Sequence, residues 1–174
     1  MTDAADHIDR LRAQWARELP DLDTRGMEVL GRARRIVLRS RPPIEAVFAR
    51  HGMDAGEFDV LSTLRRSGPP YALRPTELFR SLMISSGGLT DRLNRLVKSG
   101  MVTRPPSPGD GRSLLVQLTD KGRAAVEAAF REDMAVEASL LAALGDEDRI
   151  ALAGLLRKLA LAMEATETVP NTEG

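Results

Sequence analysis

At Gly100 the hydrophobic pattern of the chain changes period, and that change constrains the fold more tightly than any other feature. Before it, Leu89, Leu93 and Leu96 recur at helical intervals; after it, Leu114, Val116 and Leu118 alternate as on one face of a strand. Gly100 itself stands where a left-handed cap would close the helix. Met101 to Arg104 reads as a short extended segment, Pro105 to Gly111 as a long polar tip, and Ser113 to Leu118 as the returning strand. Upstream, Asp54 is placed to cap a helix carrying Phe58, Val60, Leu61 and Leu64, and Ser67-Gly68-Pro69-Pro70 is a turn. Pro75 suits the first position of a helix reaching Ser81, because its missing N–H would be unsatisfied there anyway. The turn Met83-Ile84-Ser85 leads to a further helix over Ser86 to Lys98. Helix, helix, short turn, helix and hairpin, in that order, predict a winged helix-turn-helix spanning roughly Pro75 to Thr119.

The flanks are helical. A first helix runs from about Asp3 to Glu18 with Ile8, Leu11, Trp15 and Leu19 on one narrow stripe, and Pro20 ends it. A second starts near Asp23 or Thr24 and carries Met27, Leu30, Val37 and Leu38 among a row of arginines. Arg41-Pro42-Pro43 is expected to break or kink it before Ile44, Val47 and Phe48, because proline lacks the amide donor. Thr119-Asp120-Lys121-Gly122 opens a long helix expected to reach Leu144, with Gly145 as its stop. Asp146 then caps a last helix bearing Ile150, Leu152, Leu155, Leu156, Leu159 and Met163, and Val169 to Gly174 should fray. The expected fold is mainly α with a small β-hairpin wing, a winged helix-turn-helix joined to a helical dimerisation domain. By residue, 1–50 are N-terminal helices for dimerisation. Residues 54–119 form the DNA-binding domain, 120–164 the C-terminal dimerisation helices and 165–174 a flexible tail.

Composition removes several function classes. Cysteine is absent, which excludes disulfides, thiolate metal sites and thiol nucleophiles. The two histidines, His7 and His51, lie far apart, so neither a metal site nor a histidine-based catalytic dyad is expected. Paired carboxylates at a plausible site, a glycine-rich phosphate loop after a strand and a nucleophile with its base are all missing, so the chain does not read as an enzyme and no cofactor is expected. No apolar run reaches the ~18 residues that span a membrane, and the polar N-terminus does not read as a signal peptide. A cytoplasmic protein without membrane contact is expected.

The formal net charge is zero, yet the charges are segregated. Residues 25–50 hold seven basic and two acidic side chains, and residues 80–123 hold eight against three. Residues 124–174 hold four against ten. A basic middle between acidic ends suits a phosphate-binding face, since local rather than net charge governs such binding. On the predicted recognition helix, Ser85, Ser86 and Gly87 let exposed amides approach phosphate oxygens at a helix N-terminus. Thr90, Asp91 and Asn94 lie opposite the leucine stripe, where they can reach base edges, and Arg95 and Lys98 extend that side toward phosphates. At the hairpin tip, Arg112 can enter a narrow minor groove with Asp110 bracing its guanidinium.

These residues resemble the MarR family of bacterial regulators. The resemblance rests on Phe58-Asp59-Val60-Leu61, Thr76-Glu77-Leu78, the run Ser85 to Leu96, Asp110-Gly111-Arg112 and Leu118-Thr119-Asp120-Lys121-Gly122, and extends from about Thr24 to Met163. It implies a homodimer with interlocked terminal helices, double-stranded DNA as partner, and a small ligand bound between the dimer and DNA-binding regions. The added N-terminal helix with Trp15, together with Asp59 and Arg92, is similar to the urate-responsive branch of that family. That likeness implies a ligand site of Trp15, Asp59, Arg92 and, at the wing base, Arg104. An anionic ligand such as urate or a related metabolite would compete with Asp59 for Arg92 and move the recognition helix. Two departures stand out: Gly111 replaces an arginine of the usual Asp-Arg-Arg wing, and Pro42-Pro43 interrupts a helix that is commonly continuous.

The leading expectation is thus a ligand-responsive regulator, a repressor that binds a pseudo-palindromic operator. The same residues also suit a constitutive or architectural winged-helix DNA binder without effector, or a helical protein-interaction module.

Overall fold

Two aspartates begin helices in the same way. Asp6 Oδ1 accepts from the Asp9 amide at 2.9 Å while the Asp6 amide donates to Asp9 Oδ2 at 2.9 Å. Asp54 and Glu57 exchange the equivalent bonds at 2.7 and 2.9 Å. Each reciprocal pair satisfies amides that the first helical turn leaves without partners, and so starts α1 (His7–Glu18) and α3 (Ala55–Arg66). These details come from a computed structural model that describes residues 4–83, 88–107 and 110–167, with the side chains of 110–113 and 167 excepted.

Between them a π-helical turn, Met27–Gly31, leads without interruption into α2 (Arg32–Arg50). The expected break at Pro42-Pro43 does not occur: both prolines lie inside α2. The carbonyls they leave without donors, those of Leu38 and Arg39, belong to exposed residues, where water can replace the missing bonds. After α3 come β1 (Ala72–Leu73), α4 (Pro75–Ser81) and α5 (Leu89–Lys98). β1 was not expected, and α5 begins at Leu89; the predicted first turn at Ser85, Ser86 and Gly87 lies outside the described residues. Gly100 has φ of +73°, the left-handed cap its position demands, and the Met101 amide bonds back to the Leu96 carbonyl at 2.9 Å.

The hairpin forms in two pieces. β5 (Val116–Leu118) pairs antiparallel with both β1 and β2 (Val102–Thr103), in the order β1-β5-β2. Beyond it β3 (Pro106–Ser107) pairs with β4 (Asp110–Leu114) across a register shift. Val116 and Leu118 are buried as the alternation predicts, but Leu114 is 44% exposed, because β4 pairs with β3 rather than with the sheet over the core. α6 (Asp120–Leu140) then begins with Thr119 Oγ1 accepting from the Gly122 amide at 3.0 Å. It ends four residues before the expected Leu144, in turns whose bonds tighten to three-residue steps (Ala142 to Ser139, Leu144 to Leu141). α7 (Asp146–Glu167) begins one residue earlier than expected, with Asp146 in its first turn rather than capping it from outside.

The chain divides into two compact units, residues up to Met134 and residues from Ala135. In the first, Val47, Phe48, Val60, Leu61, Leu64, Leu78, Leu93, Leu96, Val116 and Val126 are buried together. Phe48 stacks on Phe58 with ring centres 4.0 Å apart. In the second, most apolar side chains of α7 stay uncovered, including Ile150, Leu155, Leu156, Leu161 and Met163, while Leu159 is half-buried.

Candidate nucleic-acid interface

α5 is amphipathic, and the side it buries determines the side it offers. Leu93 and Leu96 are buried; Thr90, Asp91, Asn94 and Lys98 are exposed. Leu89, predicted inward with them, is only half-buried at the first turn. α5 starts from Gly88, whose φ of +75° turns the chain into the helix. The exposed residue types, a hydroxyl, a carboxylate, an amide and an ammonium, are those that read base edges and phosphates.

α3 holds the end of α4, Met83 beyond it and α5 itself. The Met83 amide, between α4 and α5, donates to Asp59 Oδ2 at 2.9 Å, and Asp59 is buried. Arg66 Nη2 donates to the Ser81 carbonyl at 2.5 Å, closing the end of α4 against the end of α3. The Arg92 side chain lies against Gly56: a Cβ built there would stand 2.3 Å from Arg92 Nε. Only the absence of a side chain at 56 makes room for it. Gly56 and Asp59 are three residues apart on α3, so Arg92 and Asp59 share one side of that helix. Trp15, 46% exposed on α1, and Arg104, exposed on the wing, belong to other elements. Of the four candidate ligand residues, the structure therefore brings two to one helix face.

Arg95 has a different engagement from the phosphate contact expected of it. Its Nε donates to Glu57 Oε1 and its Nη2 to Asp54 Oδ2, both at 2.7 Å. Glu57, followed by Asp54, holds the guanidinium above its ordinary pKa. Sequence reasoning identified Asp54 as a cap but missed Glu57 and Gly56; the Asp-x-x-Glu spacing of a capping box was the available signal.

The wing base is packed tightly. Thr119 Oγ1 donates to the Gly100 carbonyl at 2.8 Å, and Lys121 Nζ donates to the Ser99 carbonyl at 2.7 Å, favourable for a cation at the C-terminal end of α5. A Cβ at Gly122 would stand 2.1 Å from the Met101 carbonyl oxygen, so α6 can approach the sheet only with glycine there. The side chains of Asp110 and Arg112 lie outside the described residues, although the backbone of β4 places both on the wing. Among the described residues no cluster of acidic or histidine side chains could hold a metal, and no helix is long and apolar enough to cross a membrane.

A helix anchored by buried leucines, an exposed polar face on that helix and an adjoining antiparallel wing define a winged helix-turn-helix protein. Residues 51–113 match the MarR family. The chain is 39% identical to the HTH-type transcriptional regulator PecS of Dickeya dadantii over 84% of its own length and 88% of that protein. It therefore belongs to the MarR family of transcriptional regulators, and its relatives are regulators rather than enzymes. A solved complex of a mutant Escherichia coli MarR with operator DNA is similar at TM-score 0.65 and 27% identity, covering 83% of this chain and 96% of that one. Bordetella bronchiseptica BpsR, whose DNA binding is regulated by 6-hydroxynicotinic acid, is similar at TM-score 0.59 and 26% identity, covering 74% and 98%.

Proposed function

We propose that this chain is a cytoplasmic repressor, a homodimer that places two α5 helices in adjacent major grooves of a pseudo-palindromic operator and is released by a small anionic ligand. The observation that carries the DNA reading is the polar face of Thr90, Asp91, Asn94 and Lys98, left exposed while Leu93 and Leu96 anchor the same helix. The operator complex of the E. coli relative supports it. Ser85, Ser86 and Gly87 are assigned to phosphate contact and Arg112, with Asp110, to the minor groove. The homodimer is supported by α7, whose exposed Ile150, Leu155 and Leu156 need an apolar partner.

Ligand control is supported by the anionic ring acid that regulates BpsR. In this chain Arg92, beside Asp59, is the cation such a ligand would approach, with Trp15 as an aromatic wall and Arg104 as a second cation. Urate or a related metabolite has the required charge and planarity.

The wing is tested by Arg112→Ala. Operator binding should weaken by about 1–3 kcal/mol; undiminished affinity would remove the wing from the interface. Urate, xanthine and 6-hydroxynicotinate, added in thermal melts, should raise the unfolding temperature if one of them binds the native state. No shift with any of them favours a constitutive DNA binder.

A further inference from the structure

We infer that Arg95 is a positioning residue: it sets the seat of the recognition helix by gripping both carboxylates of the α3 capping box, and so governs operator affinity without touching DNA. This inference rests on the DNA-binding reading above. Its basis is a division of labour among four oxygens. Asp54 gives Oδ1 to the Glu57 amide and Oδ2 to Arg95; Glu57 gives Oε2 to the Asp54 amide and Oε1 to Arg95. Each carboxylate thus starts α3 with one oxygen and holds α5 with the other.

The geometry makes this more than a surface ion pair. Arg95 and Asp54 are 51% and 56% exposed, but the Glu57 side chain is only 11% exposed, and both bonds to the guanidinium are 2.7 Å. A planar guanidinium engaged at two edges by carboxylates on one rigid helical turn has its direction set as well as its distance. One turn earlier on α5, Arg92 occupies the space over Gly56, between the same two carboxylate residues in sequence. The first turn of α3 therefore seats two arginines of α5 spaced three apart. Leucine burial at Leu93 and Leu96 fixes how close α5 lies, and the Arg95 bonds resist its rotation on that apolar base.

Phosphate contact and positioning predict opposite signs for one substitution. Glu57→Gln removes a negative charge near the interface and one of Arg95's two bonds, leaving that to Asp54, while glutamine keeps the capping bond. If Arg95 contacts phosphate, this variant binds DNA as tightly as wild type or more tightly. If Arg95 positions α5, it binds more weakly.

The experiment uses the full-length protein and a fixed duplex enriched by the wild type from a random-sequence library. Affinities across a range of salt are compared for wild type, Glu57→Gln, Arg95→Gln, Arg95→Lys and the Glu57→Gln/Arg95→Gln double variant. Arg95→Gln, which loses both bonds, is expected to weaken binding on the order of tenfold and Glu57→Gln, which keeps the Asp54 bond, by less; the double variant weakens it no more than Arg95→Gln, as for two ends of one interaction. Arg95→Lys, which can keep one of the two bonds, falls between. The slope of log affinity against log salt stays at the wild-type value.

Tighter binding by Glu57→Gln, or a slope reduced by about 0.9 in Arg95→Gln alone, the signature of one lost phosphate contact, overturns the proposal. Amide hydrogen exchange of α5 in the free protein decides the seat separately. Both glutamine variants should expose α5 amides faster, Arg95→Gln the more so; unchanged exchange also overturns it. If no duplex is enriched, the DNA reading fails while the exchange result still decides whether Arg95 seats the helix.

Discussion

α1 and α5 are both held by arginine–carboxylate bonds, but only α5 also rests on a broad apolar base. α5 buries Leu93 and Leu96 in the main core, and Arg95 adds direction. α1 buries Ile8 alone, against Gly31 of the π-helical turn, and leaves Trp15 and Leu19 nearly half exposed. What holds it otherwise is charge: Arg32 donates to Asp6 at 2.7 Å and Asp9 at 2.6 Å, and Arg12 pairs with Glu28. Burial is insensitive to salt and pH near neutrality, whereas half-exposed ion pairs are screened and titrate. The same chemistry thus gives a permanent seat at α5 and a releasable one at α1.

The comparison breaks first at the core. Leu96→Ala should lower the unfolding free energy by about 2–5 kcal/mol, read as a drop in the urea midpoint. A loss as small as that of a surface substitution would show that α5 depends on its ion pairs after all. Ile8→Ala is expected to act locally: amides of α1 lose exchange protection while the global urea midpoint hardly moves, since the main core is untouched. Equal loss of protection in α1 and α3 would mean that the arm is part of the global cooperative unit.

Acid gives the smallest effect and the sharpest contrast. The Arg32 bond, with the Asp9 amide adding, holds the Asp6 carboxyl well below its ordinary value of 3.8. A depressed carboxylate contributes stability above its unfolded pKa and loses it as pH falls through the folded one. α1 should therefore stay docked from neutrality down to about pH 4 and loosen only in stronger acid. Fluorescence of Trp15, the chain's one tryptophan, follows this directly. Undocking between pH 7 and 5 would show that another group, not Asp6, holds the arm.

Much of this fold was legible because its signals are local. The Asp54 cap, Pro75 at a first helical position, the Gly100 stop and the Asp146 start each depend on a few adjacent residues. Pro42-Pro43 misled because the lost hydrogen bonds fall on an exposed stretch, where water limits their cost. β1 was missed because two residues, Ala72 and Leu73, are too few to display a period. The seat of α5 was hidden for another reason. Arg95 stands 38 residues from Glu57 and 41 from Asp54, and no local pattern connects them. An arginine on a polar helix face looks the same whether its partner is a phosphate or another helix.

Gly122 gives the wing base a mechanical property. The Met101 carbonyl, against which that glycine fits, also accepts the Thr119 amide at 3.1 Å. The joint between the first turn of α6 and β2 therefore has no play: a roll of that turn must either carry Met101 along or part the Thr119 bond. Gears mesh in this way, with contact too close for slip, and the wing strand is the driven part.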